Sequence, residues 1–302
     1  MQDTIVLTGA SGFLGKIIAD VLISQKNEII SIGRQYSNTI ISDLSLNSPI
    51  LIKKEINTVI HAAGKAHSIP RNDKEIKAFF DVNAKGTKNL LTGIENSGSF
   101  PNSFIFISTV AVYGKEDGEN INEDSPLLAK DPYGLSKIQA EQLVLDWCKK
   151  NNVTCTILRL PLLVGENPPG NLGAMIKAIK KGYYFNIGGG LARKSMVLAE
   201  DVANILFKAS KIGGIYNLTD SYHPNFFELS DSIAKQNRKS RLFNMPYSIA
   251  KSISLFGDVV GLKFPLNSNK LKKITSDLTF DDSRAREVLG WQPSNVIDWF
   301  TK

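Results

Sequence analysis

The sequence predicts an α/β protein with a doubly wound parallel sheet and a smaller C-terminal lobe. Through the first 160 residues, short β-branched runs alternate with longer amphipathic segments. This alternation indicates βαβ units whose helices cover both faces of a parallel sheet. After Pro161 the sequence changes to Gly- and Pro-rich turns between shorter elements, which places the smaller lobe there.

The predicted elements follow in chain order. Strands are expected at 4–8, 28–33, 58–62, 103–108 and 154–160, and helices at 15–25, 74–97 and 136–150. They form a first domain over residues 1–160, followed by the lobe over 161–302. The apolar run at about 214–220 is expected to return to the core sheet, so the two parts are not independent bodies.

The composition excludes several classes of protein. The 302 residues are 42% hydrophobic and 22% charged, close to the globular average, which fits neither a disordered tail nor a membrane protein. Two cysteines without CxxC spacing indicate neither a disulfide framework nor a zinc site, so no metal is expected. There is no signal-peptide pattern and no apolar run long enough to cross a bilayer, so we expect a cytoplasmic protein without a membrane span.

The net charge of +7 is compatible with nucleic acid, an anionic membrane or a phosphorylated small molecule as partner. The basic cluster of Lys270, Lys272 and Lys273 is short and mixed with apolar residues, as on a solvated helix face. We therefore expect no nucleic-acid partner. The apolar stretch 248–261 suits a lid, a partner or a membrane surface, and the sequence does not rank these.

A glycine series follows the first predicted strand. Gly9, Gly12 and Gly15 are spaced GxxGxxG, which departs from the commonest dinucleotide pattern, GxGxxG. Between a strand and a helix, missing side chains let backbone N–H groups and the helix N-terminus approach a pyrophosphate. The series therefore predicts a Rossmann-type dinucleotide-binding domain rather than a structural turn.

Arg34 follows the second predicted strand, where many NAD-binding proteins carry an acidic residue. The planar guanidinium matches phosphate oxygens and can pair with the 2′-phosphate of NADP. The alternative is an ordinary solvated arginine. The sequence thus favours NADP(H) slightly over NAD(H).

Tyr133 and Lys137 lie four residues apart at a predicted helix start and so share one helix face. A cationic lysine and an oxidised nicotinamide would both favour the phenolate, bringing the tyrosine pKa from near 10 toward working pH for proton transfer. The alternative is a tyrosine that packs on a lysine stem.

Together these motifs resemble the extended short-chain dehydrogenase/reductase superfamily, in particular its nucleotide-sugar epimerase/dehydratase branch, marked by TGxxGxxG and YxxxK. Further similar segments are His61–Ala62–Ala63–Gly64, Asp43–Leu44, the DVNAKGT segment with Asn83, Ser108–Thr109 before VYG, and the tail 278–291. The resemblance spans essentially the whole chain.

The resemblance implies three groups of site residues. Thr109, Tyr133 and Lys137 would be catalytic. The cofactor would contact Gly9, Ser11, Gly12, Phe13, Leu14, Gly15, Arg34, Asp43, Leu44, Ala62, Ala63, Gly64, Asn83, Ser108, Tyr133, Lys137 and Pro161. The substrate would contact Lys65, Thr109, Asn171, Leu172, Lys194 and Met196, with Lys194 in place of the family's phosphate-binding arginine. His67 either touches the cleft or covers the loop, and the structural role is favoured.

One departure narrows the reaction. The family's 4,6-dehydratases carry an Asp–Glu pair after the catalytic threonine, whereas this chain has Val110 and Ala111, which can neither donate nor accept a proton. The expected activity is NAD(P)-dependent hydride transfer at C4 of a nucleotide-linked hexose or N-acetylhexosamine, with UDP as the expected nucleotide. Arg34 tilts this expectation to a 4-keto-sugar reductase in surface polysaccharide synthesis.

Two alternatives remain open. One is a UDP-sugar 4-epimerase that keeps NAD tightly bound, and the other is a dinucleotide-sensing protein without catalysis. The resemblance also implies a homodimer formed through a pair of helices.

Overall fold

The computed structural model describes residues 3–51, 55–66, 68–239, 242–260 and 266–301. Within these ranges the strands are β1 Thr4–Thr8, β2 Glu28–Gly33, β3 Ile40–Ile41, β4 Thr58–His61, β5 Ser103–Thr109, β6 Gly118–Ile121, β7 Thr154–Leu160, β8 Leu162–Val164, β9 Phe185–Ile187, β10 Met196–Leu198, β11 Gly214–Asn217, β12 Phe243–Met245 and β13 Leu278–Phe280. The α-helices are α1 Phe13–Ser24, α2 Asp73–Phe80, α3 Gly86–Ser97, α4 Pro132–Asn151, α5 Gly170–Lys181, α6 Ala199–Ile212, α7 Phe226–Gln236, α8 Tyr247–Val260, α9 Ser268–Thr275 and α10 Val296–Thr301.

The central sheet of the described chain has seven strands in the order β11-β7-β5-β4-β1-β2-β3, and its strand pairs are parallel. The strand order reverses between β1 and β4, because the chain moves outward from β1 to β2 and β3 and then returns to β4. Ligands of doubly wound sheets bind at the carboxyl ends of the strands beside such a switch point. The predicted fold class is confirmed.

Helices cover both faces of this sheet. In β1, Ile5 and Leu7 pack with α1 and α6, while Val6 between them packs on the opposite face with α3 and α4. The two-residue period of a strand sends alternate side chains to opposite faces, so a strand buried on both sides is apolar throughout. All five residues of β1 are buried.

The chain beyond residue 160 contributes to both parts of the molecule. Gly214–Asn217 forms β11, which pairs with β7 at one edge of the central sheet. Helices α5, α7 and α10 form a separate apolar cluster with the β8–β10 pair. Helices α8 and α9 pack on each other nearby, with Ala250 and Leu271 buried between them.

The predicted helices differ from their observed form, although α1 does so only slightly, covering Phe13–Ser24 instead of 15–25. The segment 74–97 contains α2 and α3 joined by a π-helical turn over Asp81–Lys85. Helix α4 begins at Pro132, four residues earlier than predicted, because the Asp131 side chain accepts a hydrogen bond from the Gly134 N–H at 3.0 Å. A carboxylate cap before a first-turn proline is a strong helix start, and it places Tyr133 in the first turn.

Candidate active site

A cleft of about 580 Å³ opens at the carboxyl ends of β1, β4, β5 and β7. These strands meet at the switch point of the sheet, and the turn into α1 forms one wall. The cleft is lined by Gly9, Gly12, Phe13, Leu14, Gly15, Ala62, Ala63, Gly64, Lys65, Ala66, Ile107, Ser108, Thr109, Tyr133, Lys137, Leu160, Pro161, Leu162, Leu163 and Pro169. Motifs far apart in sequence are therefore brought to one place.

The glycine turn is too crowded for side chains. Gly9 has φ +76°, and a Cβ there would lie 2.7 Å from the Ala63 nitrogen. A Cβ on Gly15 would lie only 1.9 Å from the Gly9 carbonyl oxygen. Gly12 is the N-cap of α1 and offers no side-chain cap, and the first turn holds no acidic residue. The backbone N–H groups at this helix start can thus bind an anion, which fits the pyrophosphate of a dinucleotide.

Thr109 and Tyr133 face each other in the cleft. The Thr109 oxygen accepts a hydrogen bond from the Ala111 N–H at 3.2 Å, which fixes the threonine at the end of β5. Burial raises the Tyr133 pKa above 10.0, and the nearby Thr109 hydroxyl opposes this shift only in part. In the protein without its cofactor, desolvation of the phenolate therefore dominates the Tyr133 pKa, and the lowering expected with an oxidised nicotinamide stays a prediction.

Lys137 lies one turn beyond Tyr133 on α4. Its ammonium donates to the Ile107 carbonyl oxygen at 2.7 Å and lies 3.8 Å from the centre of the Phe106 ring. Burial lowers its pKa to about 7, opposed by the negative charge of Glu141. The lysine is thus anchored to β5, and an ammonium carries three donors.

Sequence reasoning missed Glu141, which is buried one further turn along the same face of α4. Its carboxylate accepts from Arg159 at 2.8 and 3.2 Å, and the Ser108 hydroxyl donates to it as well. Arg159 also donates to the Tyr113 hydroxyl. The i, i+4 spacing from Lys137 to Glu141 was the available signal, but the partner in β7 is visible only in three dimensions.

His61 was named only as part of a motif, yet its side chain connects β4 to β1 and to α3 through hydrogen bonds. Its Nδ1 lies 2.6 Å from the Thr8 hydroxyl and its Nε2 lies 2.9 Å from the Thr87 hydroxyl. Thr8 also accepts from the Ala63 N–H, and Thr87 donates to the Asn83 carbonyl oxygen. Burial lowers the His61 pKa to about 3. A neutral ring with its proton on Nε2 satisfies this whole chain of bonds.

Asn83 lies behind the cleft wall rather than on the cleft. Its side chain accepts from the Lys65 N–H at 2.7 Å and donates to the Lys65 carbonyl oxygen and the Ser136 hydroxyl. It sits in the π-helical turn, a distortion frequent at functional sites. Asn83 therefore holds the loop at 62–66 against α4.

Three residues predicted for the adenosine side lie outside this cleft. Arg34 is exposed just after β2. The Asp43 carboxylate accepts from the Ser45 N–H and hydroxyl, and the Leu44 side chain packs in the core. Ser11 is exposed in the glycine turn, beside the lining residues.

The predicted substrate residues separate into two groups. Lys65 and Thr109 line the cleft. Asn171 is exposed in the first turn of α5, and Lys194 is half-buried, with its backbone bridged to Leu278. Leu172 and Met196 are buried in the core of the lobe, so their side chains do not line the cleft, and their predicted contact with the substrate stays a prediction. His67 lies outside the described residues.

The parallel sheet, the glycine turn and the Tyr–Lys pair define a dinucleotide-binding enzyme of Rossmann type. The chain belongs to the NAD dependent epimerase/dehydratase family, whose model matches residues 5–218. It is 28% identical to the N-acetyl-alpha-D-glucosaminyl-diphospho-ditrans,octacis-undecaprenol 4-epimerase of Escherichia coli O157:H7, over 94% of this chain and 89% of that protein. It is 24% identical to the UDP-glucose 4-epimerase of Vibrio cholerae, over 98% of this chain and 93% of that protein.

The fold also matches a solved structure. The UDP-N-acetylglucosamine 4-epimerase from Bacillus cereus superposes with a TM-score of 0.76 and 20% identity, over 99% of this chain and 97% of that one. Among the described residues, no helix has the length and hydropathy needed to span a membrane, and no group of three or more His, Cys, Asp or Glu side chains could hold a metal ion.

Proposed function

We propose that this protein inverts C4 of a hexose or N-acetylhexosamine that is linked through a diphosphate to its carrier, with UDP as the first candidate carrier. The observation that carries the proposal is the placement of Thr109, Tyr133 and Lys137 on one cleft, followed by the apolar Val110 and Ala111. This set can move a proton at C4, and it lacks the acid and base for dehydration. Two curated relatives named as 4-epimerases match over nearly the whole chain, which supports epimerisation over reduction.

The residues that would hold the dinucleotide are those of the crowded glycine turn, the loop at 62–66 and Lys137. When bound, the dinucleotide supplies the acceptor and donor of the C4 hydride. Lys137 keeps donors for the cofactor ribose while one N–H is fixed on Ile107. The glycines keep the turn open for the pyrophosphate.

Tyr133 exchanges the proton at the C4 oxygen. Burial raises its pKa, so the phenolate needs stabilisation by groups that the bound complex brings beside it. Thr109, which lines the same cleft as the phenol, orients the sugar oxygen. Oxidation would take the proton from the C4 oxygen to Tyr133 and the hydride from C4 to the bound dinucleotide. Inversion would require the same hydride to return to the opposite face of C4, so the enzyme must let the sugar turn within the cleft.

A second candidate is a 4-keto-sugar reductase that uses NADPH. Arg34 favours it, because an exposed guanidinium just after β2 can pair with a 2′-phosphate. A reductase consumes its cofactor in each turnover, whereas an epimerase regenerates it. Retained NAD therefore favours the epimerase, and an empty protein that prefers NADPH favours the reductase.

The deciding experiment has two parts. The purified protein is denatured and any released dinucleotide is identified by mass spectrometry. The native protein is then incubated with UDP-N-acetylglucosamine or UDP-glucose, and the C4 epimer is measured by NMR without added dinucleotide. We expect near-stoichiometric release of NAD and formation of the C4 epimer. Both results should be lost together only in a protein that fails to bind the dinucleotide.

The matched variants are Tyr133→Phe and Tyr183→Phe. The first removes the phenol from the cleft and should abolish turnover while cofactor binding persists, and the second alters an exposed tyrosine and should leave activity unchanged. Full activity of Tyr133→Phe contradicts the mechanism. Absence of epimer, together with NADPH oxidation on a 4-keto sugar, replaces the epimerase by the reductase.

The proposal extends to a cytoplasmic homodimer that serves surface polysaccharide synthesis. Residues 1–160 would bind the cofactor and 161–302 would bind most of the substrate. Light scattering on the eluting protein tests the dimer, since a mass of one 33.2 kDa chain would contradict it.

A further inference from the structure

We propose that helix α8 docks this protein on the surface of an anionic phospholipid bilayer. This inference goes beyond the proposed function and does not depend on it. It rests on the orientation of the helix, on the position of the positive charge and on the agreement between the two.

The side chains of α8 are distributed opposite to the usual pattern of a surface helix. Its buried positions are Ala250, Ser254 and Gly257, and Ala250 packs in an apolar cluster with Leu271 of α9. The large apolar side chains are instead exposed: Val259 is 86% exposed, and Leu255, at the edge of a groove shared with α9, is 55% exposed. A surface helix normally turns its apolar stripe toward the core. The exposed apolar stripe of α8 is therefore available to contact an apolar phase outside this chain.

The exposed apolar residues lie on one side of the helix. Leu255 and Val259 are four residues apart and therefore neighbours on the helix surface. Ile249 and Val260 flank them and are 50% and 52% exposed. On β12, just before α8, Phe243 is 67% exposed and pairs with Phe185 of β9. Aromatic side chains are enriched where protein meets a membrane interface.

In the sequence, the positive charge of the chain is concentrated in the segment that contains this helix. Residues 235–275 hold nine of the 36 basic residues and one of the 29 acidic residues, so they carry +8 while the rest of the chain carries −1. Among the residues that the structure describes, three carboxylates from outside the segment compensate part of this charge, in the pairs Asp231–Lys235, Asp117–Lys272 and Glu116–Lys273.

A bilayer fits this surface better than a second copy of the chain. An amphipathic helix with an apolar side and nearby lysines binds anionic membranes by burying the apolar side at the headgroup boundary. Basic residues near an anionic leaflet add electrostatic attraction. Two copies joined through α8 would instead bring two positive segments together, which is unfavourable. The occupant that complements both features is an anionic lipid surface.

The test is co-sedimentation of the full-length protein with vesicles of phosphatidylcholine alone or mixed with an equal amount of phosphatidylglycerol. We expect binding to the mixed vesicles that weakens as salt is raised. The double variant Leu255→Ser/Val259→Ser should bind the mixed vesicles about tenfold or more weakly, because two apolar side chains no longer enter the interface. Lys251→Glu, which reverses an exposed charge on α8, should also weaken binding.

The matched control is Ile50→Ser, which removes an apolar side chain that is 87% exposed but lies outside α8. This control should bind as the wild type does. Unchanged thermal unfolding of all variants verifies the fold, since the altered side chains are exposed. Failure of the wild type to bind mixed vesicles at low salt overturns the proposal, as does wild-type binding by Leu255→Ser/Val259→Ser.

Self-association is the competing outcome. Light scattering in the absence of lipid should give the same mass for the wild type and for Leu255→Ser/Val259→Ser. If the wild type is a dimer that this double variant dissociates, α8 is an interface between copies and the membrane proposal is wrong.

Discussion

Glu141→Gln should destabilise the fold more than any exposed carboxylate substitution of this chain. The Glu141 and Arg159 side chains are 2% and 4% exposed, and Nη2 of Arg159 lies 2.8 Å from Oε2 of Glu141. Glutamine keeps the volume but removes the negative charge, and its amide N–H groups face the guanidinium donors. A buried cation is then left without its counter-ion.

The magnitude follows from the burial of the pair. Removing one partner of a buried ion pair costs about 3–5 kcal/mol, because the remaining charge is uncompensated in a low-dielectric interior. For a protein of 302 residues, that loss lowers the melting temperature by roughly 5–8 °C. Asp231→Asn, in the exposed pair with Lys235, should cost only about 0.5 kcal/mol or less.

The assay is equilibrium unfolding in guanidinium chloride, followed by tryptophan fluorescence. The double variant Glu141→Leu/Arg159→Met should recover a large part of the loss, because it removes both charges and fills the space with apolar atoms. If the free energy of unfolding of Glu141→Gln lies within about 1 kcal/mol of the wild-type value, Arg159 is not left as a buried uncompensated charge, and the prediction is refuted.

The remaining predictions concern pH and the cofactor. Burial lowers the Lys137 pKa from 10.5 to about 7, so between these two pH values the unfolded chain binds more protons than the folded chain. The free energy of unfolding should therefore rise with pH across this range. Unfolding titrations of Lys137→Met should lack this rise. The His61 pKa is lowered from 6.5 to about 3, so stability should fall as pH drops through that range, and less steeply for His61→Gln. Gly15→Ala should abolish dinucleotide binding in calorimetry, because its Cβ would meet the Gly9 backbone, whereas Gly86→Ala, with only ordinary contacts, should bind normally. Arg34→Asp should shift the measured preference away from NADPH toward NADH if the guanidinium reads a 2′-phosphate; an unchanged ratio of the two affinities would remove the argument from that residue.

The sequence predicted the fold where local pattern and tertiary burial agree. The bounds of β1, β2 and β7 match the predicted ranges. In β1 and β7, apolar runs buried on both faces leave little ambiguity. The start of α4 was placed too late, although Asp131 before Pro132 was a readable cap. The π-helical turn at Asp81–Lys85 has no comparable signature, since it depends on how Asn83 meets the loop at 62–66.

The same limit applies to the site. The spacing of Tyr133 and Lys137 indicated the proton-transfer pair, but the direction of the Tyr133 pKa shift depends on burial that spacing does not encode. A motif match identifies a position on the chain and not the direction of its side chain. Leu172 and Met196 illustrate this, because both fall in matched segments and yet their side chains face the core.

The position of the charge gives the net +7 a more specific meaning than its sum. If the surplus served mainly to attract a diphosphate, the basic residues should crowd the cleft, yet its lining includes only Lys65 and Lys137 as cationic side chains among the described residues. The surplus instead accompanies α8, whose apolar side chains face outward. Attraction to an anionic surface and burial of an apolar stripe then act on the same helix, and each alone would give only weak binding. If both forces contribute, vesicle binding should weaken in Leu255→Ser/Val259→Ser at low salt, and it should weaken in the wild type when salt is raised.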